Sequence, residues 1–121
     1  MPLAMIIDDS ADKREILMAM LAVLGVSSLA ASDGEEGLTL VHALRPDLVI
    51  STVSLPKMDG IQLMQAIRNE GQLARVPWIF MGPPDREEEA LTAGCQFFLA
   101  EPFTSPQLAE ILDWALQEGT Q

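Results

Sequence analysis

The sequence predicts an α/β protein built as an open, doubly wound parallel sheet. Short apolar runs alternate with helix-period segments from end to end. Several of those runs are nearly continuous in apolar residues, as expected for strands buried on both faces of a parallel sheet. Five βα units in succession, each with a right-handed crossover, give this architecture.

The elements follow in order. Strand one is Ala4–Ile7, and the helix after it carries a stripe of Ile16, Met20, Val23 and Leu24. Strand two is Ser27–Ala31, followed by a stripe of Leu38, Val41 and Leu44. Strand three is Leu48–Thr52, followed by Leu63, Met64 and Ile67. Strand four is Trp78–Met81, and a short acidic helix runs from about Arg86 to Ala93. Strand five is Phe97–Ala100, and Leu108, Ile111, Leu112 and Ala115 form the last stripe. Start and stop signals agree with these spans. Asp33 with Glu36, and Asp85 with Glu88, resemble capping boxes. Ser105 is placed to cap a helix whose first residue is Pro106. Gly25, Gly71 and Gly94 follow helices where a left-handed turn is wanted. Met5, Met18, Met20 and Met64 fall on core positions. No repeat, linker or low-complexity tract interrupts the chain. Residues 1–121 read as one domain with no output domain attached.

Bulk properties exclude several function classes. A chain of 121 residues can bury a real core. A net charge of −11 argues against nucleic acid as a direct partner, because phosphate backbones need Lys and Arg to neutralise them. The acidic balance serves solubility or steers the chain toward a basic partner. No apolar run approaches the roughly 20 residues that span a bilayer. The start, Met1 to Met5, lacks a positive region and a cleavage site. Cys95 is the only cysteine, which excludes an internal disulfide and fits a small buried hydrophobe. A cytoplasmic protein without membrane contact is the expectation.

In doubly wound sheets the working crevice lies at the carboxyl ends of the strands. That rule selects Asp8-Asp9, Ser51-Thr52, Met81-Gly82 and Glu101-Pro102 as one ring. Ile6-Ile7-Asp8-Asp9-Ser10, Pro46-Asp47-Leu48-Val49-Ile50, Leu55-Pro56-Lys57-Met58-Asp59-Gly60, Ala93-Gly94 and Glu101-Pro102-Phe103 stand in a telling order and spacing. Together they resemble the receiver domain of bacterial two-component response regulators, over nearly the whole chain. The resemblance implies a flavodoxin-like strand order of 2-1-3-4-5.

It also implies a chemistry. Receivers move a phosphoryl group from a phosphohistidine to an aspartate that ends the third strand. An acidic pair after strand one helps hold Mg²⁺. A lysine after strand five pairs with the charge. A hydroxyl after strand four binds the phosphoryl group and couples it to a mobile aromatic on strand five. Against that pattern this sequence keeps the acidic pair, Asp8 and Asp9. The acceptor position holds Thr52, the hydroxyl position Gly82 and the lysine position Glu101. The aromatic position is Phe98, without a phenol. Asp47 and Asp59 lie at the wrong ends of their elements to replace the acceptor. A threonine hydroxyl needs a general base and forms a stable ester, so it cannot stand in for a carboxylate.

Asp8, Asp9 and Glu101 would crowd three carboxylates together, which raises their pKa values or recruits a cation. Three arrangements are open: Glu101 turned to solvent, a cluster neutralised by Lys57 or Lys13, or a divalent-cation site. His42 reads as structural. Trp114 either closes the core edge or stands out as an anchor on the face of helix four, strand five and helix five, where receivers make partner contacts. Glu88 and Glu110 share that face.

The expected function is a stand-alone receiver-like protein that signals without aspartyl phosphorylation and is not an enzyme. Its partner would be a histidine kinase, another receiver or an output protein, with a homodimer possible in principle. No cofactor is expected, and Mg²⁺ at Asp8 and Asp9 should bind weakly if at all. The alternative is a ligand- or metal-ion-sensing module built on Asp8, Asp9 and Glu101.

Overall fold

A computed structural model of the chain describes residues 2–119. Five parallel strands form one sheet in the order β2-β1-β3-β4-β5. They are β1 (Leu3–Ile7), β2 (Ser27–Ala31), β3 (Leu48–Thr52), β4 (Trp78–Gly82) and β5 (Phe97–Ala100). The helices between and after them are α1 (Ala11–Val23), α2 (Gly34–Leu44), α3 (Gly60–Arg68), α4 (Glu87–Thr92) and α5 (Ser105–Gly119). The expected flavodoxin-like order is therefore present.

Alternation along the strands divides the core in two. Met5, Ile7, Val49, Val53, Trp78 and Phe80 face the α2–α3–α4 side, against Val41, Leu63, Met64, Ile67 and Ala90. Ala4, Ile6, Leu48, Ile50, Ile79 and Met81 face the other side, against Leu17 and Leu21 of α1 and Leu108, Leu112 and Ala115 of α5. Both faces of β1, β3 and β4 are covered, which explains their continuous apolar sequences. No described helix is long and apolar enough to cross a membrane.

Several local expectations change. On α1 the buried residues are Leu17 and Leu21, whereas Ile16 is 61% exposed and Val23 87%. The helix has apolar residues around most of its circumference, so its periodicity admits two faces one residue apart. Packing selects the later one, and the expected stripe looks outward except for half-buried Met20. Leu44 likewise stays partly exposed beyond buried Val41.

The caps also shift. Asp33 accepts from the Glu36 N–H, but the Glu36 carboxylate reaches back to Ser32 rather than to the cap itself. Asp85 caps nothing, because Pro84 to Arg86 form a 3₁₀ turn that delays α4 to Glu87. At α5 the cap is Thr104, not Ser105. Thr104 Oγ1 accepts from the Gln107 N–H and Gln107 Oε1 accepts from the Thr104 N–H. Gly25 and Gly94 take the left-handed turn (φ 81° and 110°), whereas Gly71 opens a 3₁₀ turn instead. His42 pairs with Glu70 at 3.1 Å and links α2 to the segment after α3, as a structural histidine would.

Candidate functional site

The register sets the site. Ile7 lies beside Ser51, Thr52 beside Met81, and Gly82 beside Ala100. Asp8, Thr52, Gly82 and Glu101 therefore stand at neighbouring strand ends. Asp47 sits at the opposite end, where it accepts from the Leu3 N–H at 2.7 Å. Asp59 is the N-cap of α3, in a reciprocal box with Gln62. Neither can replace Thr52.

The acidic pair is split. Asp8 is 1% exposed, whereas Asp9 is exposed. Asp8 Oδ1 accepts the Ser10 N–H at 2.9 Å, and Oδ2 is buried without a hydrogen-bond partner. Burial pushes the Asp8 carboxyl above its ordinary value of 3.8. The Ser10 N–H and Lys13 oppose this, and Asp9 and Glu101 add to it.

Asp8 holds its proton more tightly in the folded chain than in the unfolded one. Its favourable contribution is full below the ordinary value of 3.8 and is lost as pH rises through the raised folded value. Asp8→Asn should therefore stabilise the fold at neutral pH. Asparagine keeps an oxygen for the Ser10 N–H and removes the buried charge, and a gain of about 1 kcal/mol is expected. Urea denaturation across pH should show that gain shrinking as pH falls through the raised folded value toward the ordinary 3.8, as wild-type Asp8 takes up its proton.

Glu101 does not turn to open solvent. Its Oε2 lies 3.0 Å from Lys13 Nζ, and its side chain is 25% exposed. The hydrogen bond that Lys13 donates to Glu101 raises the Lys13 pKa above its ordinary value, against the opposing effect of burial. Lys13, rather than Lys57, is thus the compensating cation. Among the described residues, no three His, Cys, Asp or Glu side chains converge closely enough to hold a metal ion.

Thr52 ends β3 and is 7% exposed. Gly82 ends β4 one residue past Met81, the register partner of Thr52, and a Cβ there would lie 2.4 Å from Val53 Cγ2. Val53 is fully buried, so its methyl occupies the space that a side chain at position 82 would need. Phe98 is half-buried, with Cζ 3.5 Å from the same Cβ position. Val53 carries no distinguishing signal in the sequence. Its position after Thr52 was visible, but its approach to β4 is a tertiary fact.

The strand order and this ring of strand-end residues can be compared with known proteins. The family model of the response regulator receiver domain matches residues 4–113. The chain belongs to the response regulator receiver family. Curated relatives include a protein named "Probable transcriptional regulator ycf27" from Guillardia theta. It is 34% identical over 104 residues, covering 86% of this chain and 41% of the relative. Its namesake from Cyanophora paradoxa is 30% identical, over 86% and 44% of the two chains. The chain thus spans less than half the length of these relatives.

Solved structures agree on the receiver fold. Chemotaxis response regulator CheY4 of Vibrio cholerae superposes with a TM-score of 0.88 at 28% identity, over 96% of this receiver and 99% of that chain. The signal receiver domain of a signal transduction histidine kinase from Syntrophus aciditrophicus gives 0.89 at 27% identity, over 97% and 91%. This receiver is accordingly a module of two-component signalling.

Proposed function

We propose that this receiver works through protein contacts and does not take a phosphoryl group. The observation that carries the reading is Thr52 at the end of β3, beside buried Asp8, where receivers place their acceptor aspartate. Three neighbours support it. Glu101, at the lysine position, is held by Lys13. Gly82, at the hydroxyl position, offers no side-chain oxygen, and Val53 fills the space of a side chain there. Asp9, the other half of the acidic pair, is exposed rather than gathered with Asp8.

The Mg²⁺ that the family implies does not fit this donor set. Thr52 brings no charge, and the third carboxylate is engaged with Lys13. The same engagement weighs against an ion sensor built on Asp8, Asp9 and Glu101.

The working surface would be the face of α4, β5 and α5. Trp114 is 59% exposed and Leu91 43%, so this face carries two uncovered apolar side chains. Glu88 and Glu110 are exposed beside them. Glu110 and Trp114 are four residues apart on α5 and share a face. The aromatic would supply most of the affinity, and the acids would steer a basic partner. The partner is a kinase, another receiver or an output protein.

The test is capture of a partner from native cells, followed by binding measurements with variants. Trp114→Ala should weaken binding by roughly tenfold or more. Charge reversal of Glu88 and Glu110 together should weaken it and flatten its salt dependence. Thr52→Ala should leave it unchanged. Loss of binding in Thr52→Ala, with the surface variants unaffected, would move the function to the crevice.

A further inference from the structure

Arg86 joins two loops that the strand order leaves side by side. It is the last residue before α4, at the end of the short turn that follows β4. Its Nη1 donates to Ser54 Oγ at 3.3 Å, and its Nη2 to both carboxylate oxygens of Asp59 at 3.4 Å. Its Nε donates to Glu89 Oε1 at 2.6 Å. Ser54 and Asp59 belong to the loop after β3, and Asp59 caps α3. Glu89 lies in the first turn of α4. One guanidinium thus binds acceptors on two separate elements.

The chemistry suits arginine. Its rigid fork spreads donors over three nitrogens, whereas a lysine donates from one. Its position also decides the local electrostatics. Asp59 and Glu89 both lie against the guanidinium, and Arg86 is the cation between them. The Arg86 side chain is only 25% exposed, so these contacts are partly screened from water. The segment before it, Pro83-Pro84, has no backbone N–H with which to bond across the gap.

We propose that Arg86 is a built-in tether, holding the start of α4 against the β3–α3 loop. α4 is then kept in one position by the chain itself. Its bearing on partner binding rests on the function proposed above. The tether itself does not, and the isolated protein tests it separately.

Hydrogen exchange read by mass spectrometry is the experiment. In Arg86→Gln, amides from Asp85 to Thr92 should exchange about fivefold faster, the size of effect expected for partly exposed charged contacts. Amides of β1 and β3 should not change. Asp59→Asn keeps a capping oxygen for α3 and removes the charge. It should accelerate the same segment, and about 0.5 M salt should do so in part for the wild-type protein. Arg86→Lys should fall between wild type and Arg86→Gln. Unchanged exchange from Asp85 to Thr92 in both Arg86→Gln and Asp59→Asn would overturn the proposal. So would equal acceleration throughout the chain, which would mean global loosening rather than a local tether.

Discussion

Gly82→Thr should destabilise the protein by about 2 kcal/mol, the middle of the range for overpacking a core. The new Cβ would sit 2.4 Å from Val53 Cγ2. Val53 is β-branched and fully buried, so it has few rotamers to escape into. Val53→Ala alone should also cost stability, because it leaves a cavity. Combined, the two changes should cost clearly less than their sum, since the second removes the clash created by the first. Chemical denaturation of the four proteins measures this coupling. Additive costs would show that Val53 does not occupy the place of a side chain at position 82. The result bears on function. If Val53 fills that place, restoring an aspartate, a hydroxyl and a lysine at positions 52, 82 and 101 would not by itself rebuild a phosphorylation site.

Arg68→Met should destabilise the fold by about 2–3 kcal/mol. Arg68 ends α3 and ties it to the amino ends of β4 and β5. Its Nη1 donates to the Gly94 carbonyl at 2.5 Å, and its Nη2 to the Val76 carbonyl at 3.5 Å and to Gln96 Oε1. Gln96 Oε1 also accepts the Trp78 N–H at 2.9 Å, so the network orients the start of β4. Burial pulls the Arg68 pKa down, which means the ion is held there at some cost and depends on these acceptors. Methionine matches the aliphatic stem but leaves the acceptors without their donor. Arg68→Lys should fall between wild type and Arg68→Met. A loss below about 0.5 kcal/mol in urea denaturation of Arg68→Met would show that the network contributes little.

Much of the fold was legible because the sheet is buried on both faces. The runs Leu48–Thr52 and Trp78–Gly82 have no polar alternation to confuse with an exposed strand. The stripes of α3 and α5 were also clear, since each helix has one apolar face. The face of α1 was not, because Ile16 and Leu17 are equally apolar neighbours and only packing chooses between them. Thr104 and Ser105 posed the same ambiguity in a cap. There the signal was Gln107, three residues after Thr104.

The site was legible as a set of strand ends but not as a geometry. Asp8 and Asp9 look equivalent in sequence, and alternation buries one while exposing the other. The Glu101–Lys13 pair, the Val53–Gly82 contact and the Arg86 tether all join residues far apart in the chain. No local pattern announces them.

On the function proposed above, the receiver fold persists here without its phosphoryl chemistry. Intact-mass measurement after incubation with acetyl phosphate and Mg²⁺, and again with a phosphorylated histidine kinase, tests it most directly. The mass should be unchanged under both conditions. A gain of one acid-labile phosphoryl group would contradict it, and mapping that group to Asp8 or Asp9 would show a site rewired rather than lost.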